Sequence, residues 1–299
     1  MSRRTPLTSE QRQAKLDQAH NRLVAAVNEL QSSDDWLRYL AAMNRFHRYS
    51  ASNVLLIVMQ RPDASQVAGY STWKALGRQV NKGAKGIAIF APVTAKRTVD
   101  NDEVPADTDT EPGTVKRVVG FRLTYVFDVS DTTGDPLPQI PSARLLDGDA
   151  PTEMWDALAA QVATAGFTLQ LVDQIESCPG AHGVSDMLAK TVQVATAGRS
   201  KAAQAKCLCH ELAHILLHQN VNYRAERGRF EVEAESVAYL VSSAFELDTM
   251  DYSLGYVTSW ANGDTDVVLK TAQTVQRCAR AVLDLALPEI ADGEQGEAA

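Results

Sequence analysis

The sequence predicts an α+β fold in two domains: an N-terminal domain that mixes helices with strands, and a C-terminal domain, mainly helical, with a small sheet. Three observations predict it. The chain has 299 residues, more than one ordinary core requires. The apolar period switches repeatedly between 3.6 and 2 along both halves. Pro136-Leu137-Pro138-Gln139-Ile140-Pro141 is an extended connector between two well-patterned segments. The boundaries that follow are 1–135, a linker at 136–150, a second domain at 151–287 and an acidic tail at 288–299.

The elements can be justified in order. Thr8 stands three residues before Gln11, the spacing of a capping box, and Leu16, Ala19, Leu23, Val27 and Leu30 continue at helical spacing. Trp36, Leu37, Leu40 and Met43 mark a second helix. The apolar run Ala51 to Gln60 stops at Arg61-Pro62-Asp63. Ser71 to Leu76 fits a short helix ended by Gly77. Strands follow around Val80 and from Gly86 to Val93, joined by a Lys- and Gly-rich turn. Between 99 and 113 Asp, Glu, Thr and Pro replace every apolar period, which predicts a mobile acidic loop before the strand Val118 to Val129.

The second half begins with a helix from Thr152 to Ala165, closed by Gly166, and a strand from Phe167 to Val172. Cys178 to Asp186 reads as a Gly-containing loop, and Thr191 to Ala195 alternates as a strand. Ser200 can cap the next helix. Further helices are expected from Phe230 to Leu247, over a shorter stretch after it, and from Asp266 to Leu287.

No apolar run approaches the ~20 residues needed to span a bilayer, and no apolar stretch follows the two N-terminal arginines. The expectation is a cytoplasmic protein without a membrane partner. The four cysteines form no CxxC pair and read as reduced thiols. The net charge of −8 is divided unevenly: residues 1–99 carry +9 and residues 100–299 carry −17. A basic N-terminal third on an acidic chain suggests that this third meets a polyanion.

His210-Glu211-x-x-His214 lies inside an uninterrupted helical pattern. Residues four apart share a helix face, so both imidazoles can close on one metal ion. The expected ion is a single catalytic Zn2+, with another divalent metal as the alternative. Glu211 stands beside the pair as the general base toward a zinc-activated water. A catalytic zinc needs a third protein ligand. Glu231 or Glu235 can supply it from the next helix, sharing a face with Ala234 and Ala238, while Glu233 points away from that face. His218 continues the histidine stripe a full turn beyond the ion and reads as a supporting or helix-terminal residue. Val192 to Ala195 could be the edge strand that pairs with an extended peptide substrate.

Upstream, basic and aromatic residues interleave. Arg48, Tyr49, Tyr70, Trp73, Lys74, Arg78, Lys82 and Lys85 are the candidate contacts to single-stranded DNA, with double-stranded DNA as a second form. Cations follow the backbone and aromatic faces stack on bases.

Several long spaced matches carry a resemblance. They are Arg45-Phe46-His47-x-Tyr49-Ser50-x-x-Asn53-x-Leu55-Leu56-Ile57, Gly69-Tyr70-x-x-Trp73-x-x-Leu76-Gly77-Arg78, Val80-x-Lys82-Gly83-x-Lys85-Gly86-Ile87 and Tyr125-Val126-Phe127-Asp128-Val129-Ser130. With the His210–His214 motif and the Glu231 helix, the chain resembles the plasmid antirestriction proteins of the ArdC type, to about Leu287. The resemblance implies a single-stranded-DNA-binding N-terminal domain and a C-terminal zincin-like metallopeptidase domain, gluzincin-like and similar to the ImmA/IrrE peptidases. In those peptidases the third ligand opens a Glu-x-x-Ala pattern, which favours Glu231 here; Glu235-Ser236-Val237-Ala238 also fits. The implied function is protection of a mobile element's incoming DNA from host restriction. The alternative is a regulatory metalloprotease that cleaves a repressor-like protein and uses the basic domain for targeting. Two features depart from the family pattern: the acidic 99–113 insert, and Asp131 where Gln is more usual.

Overall fold

The computed structural model describes residues 8–30, 33–98, 114–137, 150–219, 221, 223–247 and 264–287. The acidic 99–113 loop, most of the linker, the short helix expected after Leu247 and the tail lie outside the described residues. Mixed helix and strand run through the chain, and the C-terminal part is mainly helical. Of the described residues, 8–23 and 56–137 form one compact unit, and 24–55 with 150–287 form another.

The first unit is built on a twisted hairpin. Strands β3 (Ile87–Thr98) and β4 (Thr114–Asp128) pair antiparallel from Ile87↔Val126 to Thr98↔Thr114, with a register shift between Val93 and Thr94. β1 (Val67–Gly69) adds to the far side of β4, giving the order β1-β4-β3. Ile87, Ile89, Ala91 and Val126 lie on one face and form the core, because successive strand residues alternate between faces. α4 (Tyr70–Ala75) buries Trp73, which is 2% exposed and donates Nε1–H to the Phe127 carbonyl at 2.9 Å. β2 (Arg78–Val80) and β5 (Thr132–Gly134) form a separate two-stranded sheet. Asp128 closes the end of β4. Its carboxylate accepts from the Ser65, Gln66 and Ser130 amides and from the Ser130 hydroxyl at 2.6–3.2 Å. Burial opposes its charge, yet these bonds hold the carboxyl below its ordinary value of 3.8.

In the second unit, β8 (Thr191–Ala195) lies between β6 (Thr168–Val172), which is parallel to it, and β7 (Gly183–Asp186), which is antiparallel. Two expectations are corrected here. The Gly-containing loop is partly strand, since residues 183–186 make ladder bonds to β8. β8 is the central strand, not an edge: Val192 and Val194 are fully buried, and β6 and β7 hold the edges. α5 (Thr152–Thr164) and α6 (Lys201–His218) pack with this sheet, and α7 (Tyr223–Ala244) and α8 (Thr265–Ala286) pack with α6. Leu208, Leu212 and Ile215 of α6 are fully buried, worth about 1.5–3 kcal/mol each relative to exposure. Ser200 caps α6 as expected, accepting from the Ala203 amide at 3.2 Å.

Residues 24–55 group with the C-terminal half of the chain. Together with the end of α1 (Ser9–Glu29) and the start of α3 (Ala51–Gln60), both of which the division cuts, α2 (Ser33–Arg45) belongs with that half. The cause is burial of its apolar face: Trp36, Leu40 and Met43 are at most 2% exposed, and Trp36 Nε1 donates to Ser236 Oγ of α7 at 2.8 Å. Gln276 of α8 bonds the Tyr49 carbonyl at 2.9 Å in the same unit. Among the described residues no helix is long and apolar enough to cross a membrane.

Candidate functional site

α6 presents His210, His214 and His218 one above another, as the 3.6-residue repeat requires. Nε2 of His210 and Nε2 of His214 lie 3.0 Å apart. Oε2 of Glu231 approaches from α7, 3.5 Å from the first and 3.8 Å from the second. The three donor atoms fall within 4.8 Å of one another, a group that can hold a metal ion. His214 is buried, His210 is 19% exposed along its side chain and Glu231 41%, so the group opens to solvent on the Glu231 side.

The three carboxylates of α7 have separate places. Glu235 does not converge with Glu231; its Oε2 accepts from His210 Nδ1 at 2.9 Å, and Lys206 lies 3.3 Å from its other oxygen. Glu233 does point away from the ion face, and it is 5% exposed, with Oε2 2.9 Å from Nε2 of His218. His218 is 4% exposed and joins that carboxylate to His214, Nδ1 to Nδ1 at 2.9 Å. Burial alone would lower the His210 pKa, but hydrogen bonds to Glu231 and Glu235 outweigh it and push the imidazole up to about 9.

Glu211 is buried beside the pair, and its Oε2 accepts from Ser185 Oγ of β7 at 2.6 Å. The strand comes this close because Gly183 has no side chain: a Cβ there would stand 2.6 Å from Cys207 Sγ and 2.7 Å from Glu211 Oε1. Burial, with the nearby Glu211 charge, pushes the Cys207 thiol up to about 12, so it stays protonated at neutral pH. Sequence reading missed Ser185 and Gly183. Their only signal was a Gly and a Ser in a segment without apolar alternation.

The residues named for nucleic acid divide in two. Trp73 is an internal side chain and cannot stack on a base. Arg78 is held by Thr132 Oγ1 (2.8 Å) and by the carbonyls of Thr132, Gly134 and Asp135, and so pins β2 to β5. Tyr49 is half-buried; burial pushes its hydroxyl up to about 12 despite Arg48 nearby. Tyr49 and Arg48 belong to the second unit. Tyr70, Lys74, Lys82 and Lys85 are exposed on the first unit, Tyr70 by 54%. An aromatic pair went unnoticed in the sequence: Phe121 and Tyr125 on β4 are 60% and 45% exposed. They share a face of the hairpin with Pro92 and Ala88, their cross-strand partners. A Cβ on Gly86 would meet Tyr125 Cβ at 2.9 Å, so this glycine makes room for the ring. Ile87–Thr98 and Thr114–Phe127 together carry five Lys or Arg residues and no acidic one.

Fold and site together define a two-unit α+β protein whose His-Glu-x-x-His helix meets a carboxylate from the next helix. Residues 13–127 match the family model for the N-terminal domain of the anti-restriction factor ArdC. The fold likeness that follows is to the same protein. The metal-free crystal structure of the ArdC antirestriction protein from plasmid R388 is 22% identical at a TM-score of 0.53, covering 80% of this chain and 85% of that one. The Mn(II)-bound structure of the same protein is 20% identical at 0.53, covering 81% and 86%. The chain is also 25% identical to the uncharacterized protein pXO2-81 of Bacillus anthracis over 88% of its length; it spans 49% of that relative.

Proposed function

We propose that this chain is an antirestriction protein that binds single-stranded DNA and holds one catalytic divalent cation, zinc or manganese, between His210, His214 and Glu231. The observation that carries the reading is the convergence of the two Nε2 atoms and Oε2 of Glu231. At 3.0 Å the two Nε2 atoms share one hydrogen, and a cation that displaces it would be ligated by both imidazoles. Two imidazoles and one carboxylate suit zinc, and manganese accepts the same set. The Mn(II)-bound ArdC structure supports a divalent cation in a chain of this fold.

A bound cation of this kind would supply Lewis-acid activation of water and of a peptide carbonyl. The chain's own residues supply the rest. Glu211 accepts the proton of the attacking water and returns it to the leaving amine. Ser185 holds that carboxylate in place. β7, the edge strand beside α6, offers its outer backbone to an extended peptide, the role expected of Val192 to Ala195. Tyr70, Phe121 and Tyr125 with the basic residues of the two hairpin strands support the DNA half, because flat rings and cations together suit unpaired bases on a polyanion.

The test is metal analysis of the intact chain after dialysis against zinc or manganese, paired with titration by a single-stranded oligonucleotide. His210→Ala should abolish stoichiometric metal. Glu211→Gln should retain metal and DNA binding while losing hydrolysis of a fluorogenic peptide library. A wild-type chain without bound metal, or DNA binding indifferent to salt, would overturn the corresponding half.

A further inference from the structure

We infer that Glu233 and His218 form a buried relay that sets the tautomer of His214, and thereby decides whether His214 can ligate a cation at all. The inference rests on the metal-site reading above. It starts at the far end of the relay. Oε1 of Glu233 accepts from Thr271 Oγ1 at 3.3 Å and faces Arg229 Nε at 3.7 Å, so that oxygen is committed to donors. Oε2 lies 2.9 Å from Nε2 of His218. A carboxylate has no hydrogen to give, so His218 carries its own on Nε2.

A neutral imidazole holds one N–H, which leaves Nδ1 of His218 as an acceptor. It faces Nδ1 of His214 at 2.9 Å, where only one hydrogen fits, and with a single hydrogen on His218 the donor is His214. The hydrogen of His214 is therefore on Nδ1. Its Nε2 is bare and turned toward Nε2 of His210 and Oε2 of Glu231, where the cation would sit.

Burial makes the assignment strict. His214, His218 and Glu233 are 7%, 4% and 5% exposed, so solvent cannot easily replace any partner in the series. His210 is oriented differently, by one direct bond to the partly exposed Glu235. The two histidines of one motif thus depend on two unlike supports. His218 and Glu233 are positioning residues: neither is among the converging donor atoms.

Glu233→Gln discriminates the relay from simple packing. Thr271 and Arg229 both present donors to the Oε1 side, so the glutamine oxygen settles there and the NH2 turns toward His218. Nε2 of His218 must then accept, its hydrogen moves to Nδ1, and His214 is driven to carry hydrogen on Nε2, the atom needed for ligation. The intact Glu233→Gln chain should bind Mn2+ tenfold or more weakly than wild type. It should also bind more weakly than Glu233→Ala, which removes the acceptor without adding a competing donor. Nitrogen-15 spectra of the metal-free chain read the tautomers directly. Hydrogen is expected on Nε2 of His218 and Nδ1 of His214 in the wild type, with both reversed in Glu233→Gln. Unchanged Mn2+ binding in Glu233→Gln, or a wild-type His218 protonated on Nδ1, overturns the relay. If the glutamine variant does not fold, the wild-type spectrum still decides. A wild-type chain that takes up no Mn2+ overturns the metal-site reading and, with it, the role of the relay; the tautomer spectrum tells the two failures apart.

Discussion

The Ser185 hydroxyl lies 2.6 Å from Oε2 of Glu211 and 3.3 Å from the carbonyl oxygen of the same residue. One short side chain on an edge strand thus ties Glu211 on α6 to the sheet. Ser185→Ala removes that tie and adds no bulk. Metal content should stay at the wild-type level, while kcat for the proposed peptide hydrolysis falls roughly tenfold, the usual scale for a group that orients a reacting one. An unchanged kcat would show that Glu211 needs no such support.

Gly183 is where β7 and α6 touch. Alanine there would place a methyl 2.6 Å from Cys207 Sγ and 2.7 Å from Glu211 Oε1, so strand or helix must yield. The expected cost in urea unfolding is about 1–3 kcal/mol, the range for overpacking a tight core. Cys207→Ala in the same chain removes the sulfur and should restore part of the loss. A Gly183→Ala chain as stable as wild type would refute the close contact.

Phe121 and Tyr125 supply a prediction about DNA. Base stacking on an aromatic side chain is worth about 1–3 kcal/mol, so either residue changed to Ala should weaken single-strand binding by roughly 5- to 150-fold. Arg122→Ala should instead weaken binding modestly and flatten its salt dependence. Trp73→Phe, which keeps the buried ring and loses the bond to Phe127, should lower stability with little effect on affinity at temperatures where the chain is folded. If the order is reversed, with Trp73→Phe the more damaging to DNA binding, the exposed face is the wrong one.

Asp128 makes the first unit sensitive to acid. Its folded-state pKa is lowered from 3.8, because its hydrogen bonds outweigh the penalty of burial. The group's contribution is therefore fully present above about 3.8, the unfolded value, and fades as pH falls from there through the lower folded value. Asp128→Asn should lower stability at neutral pH and make it less dependent on pH below 4. Equal acid slopes for the two chains in thermal unfolding would contradict this.

Much of the fold is local and was legible. The Thr8–Gln11 capping box is made in both directions, at 3.0 and 3.1 Å. Ser200 begins α6, and the expected ends of α3, α5 and α8 fall within one residue of the observed ones. These features need only the neighbouring few residues to be decided. Trp73 illustrates the opposite case. An aromatic followed by lysine reads equally well as a stacking surface or a core anchor, and only the Phe127 carbonyl, 54 residues away, separates the two. The hairpin repeats the lesson, since both of its faces carry apolar residues. Packing places Ile87, Ile89 and Val126 in the core and leaves Phe121 and Tyr125 outside.

By itself the sequence determined the mixed fold class, the helix that carries His210, Glu211 and His214, and the alignment of both histidines on one face, because a four-residue spacing on a 3.6-residue helix permits nothing else. Tertiary structure alone decided what each carboxylate of the following helix does. Helical spacing turns Glu233 away from Glu231 and Glu235, and it does not say which partner each one meets. Lys206 draws Glu235 to the outer side of His210, Thr271 and Arg229 hold Glu233 against His218, and Glu231 is left to meet the two Nε2 atoms. Those partners come from three separate helix segments, and their convergence is a property of how α6, α7 and α8 pack.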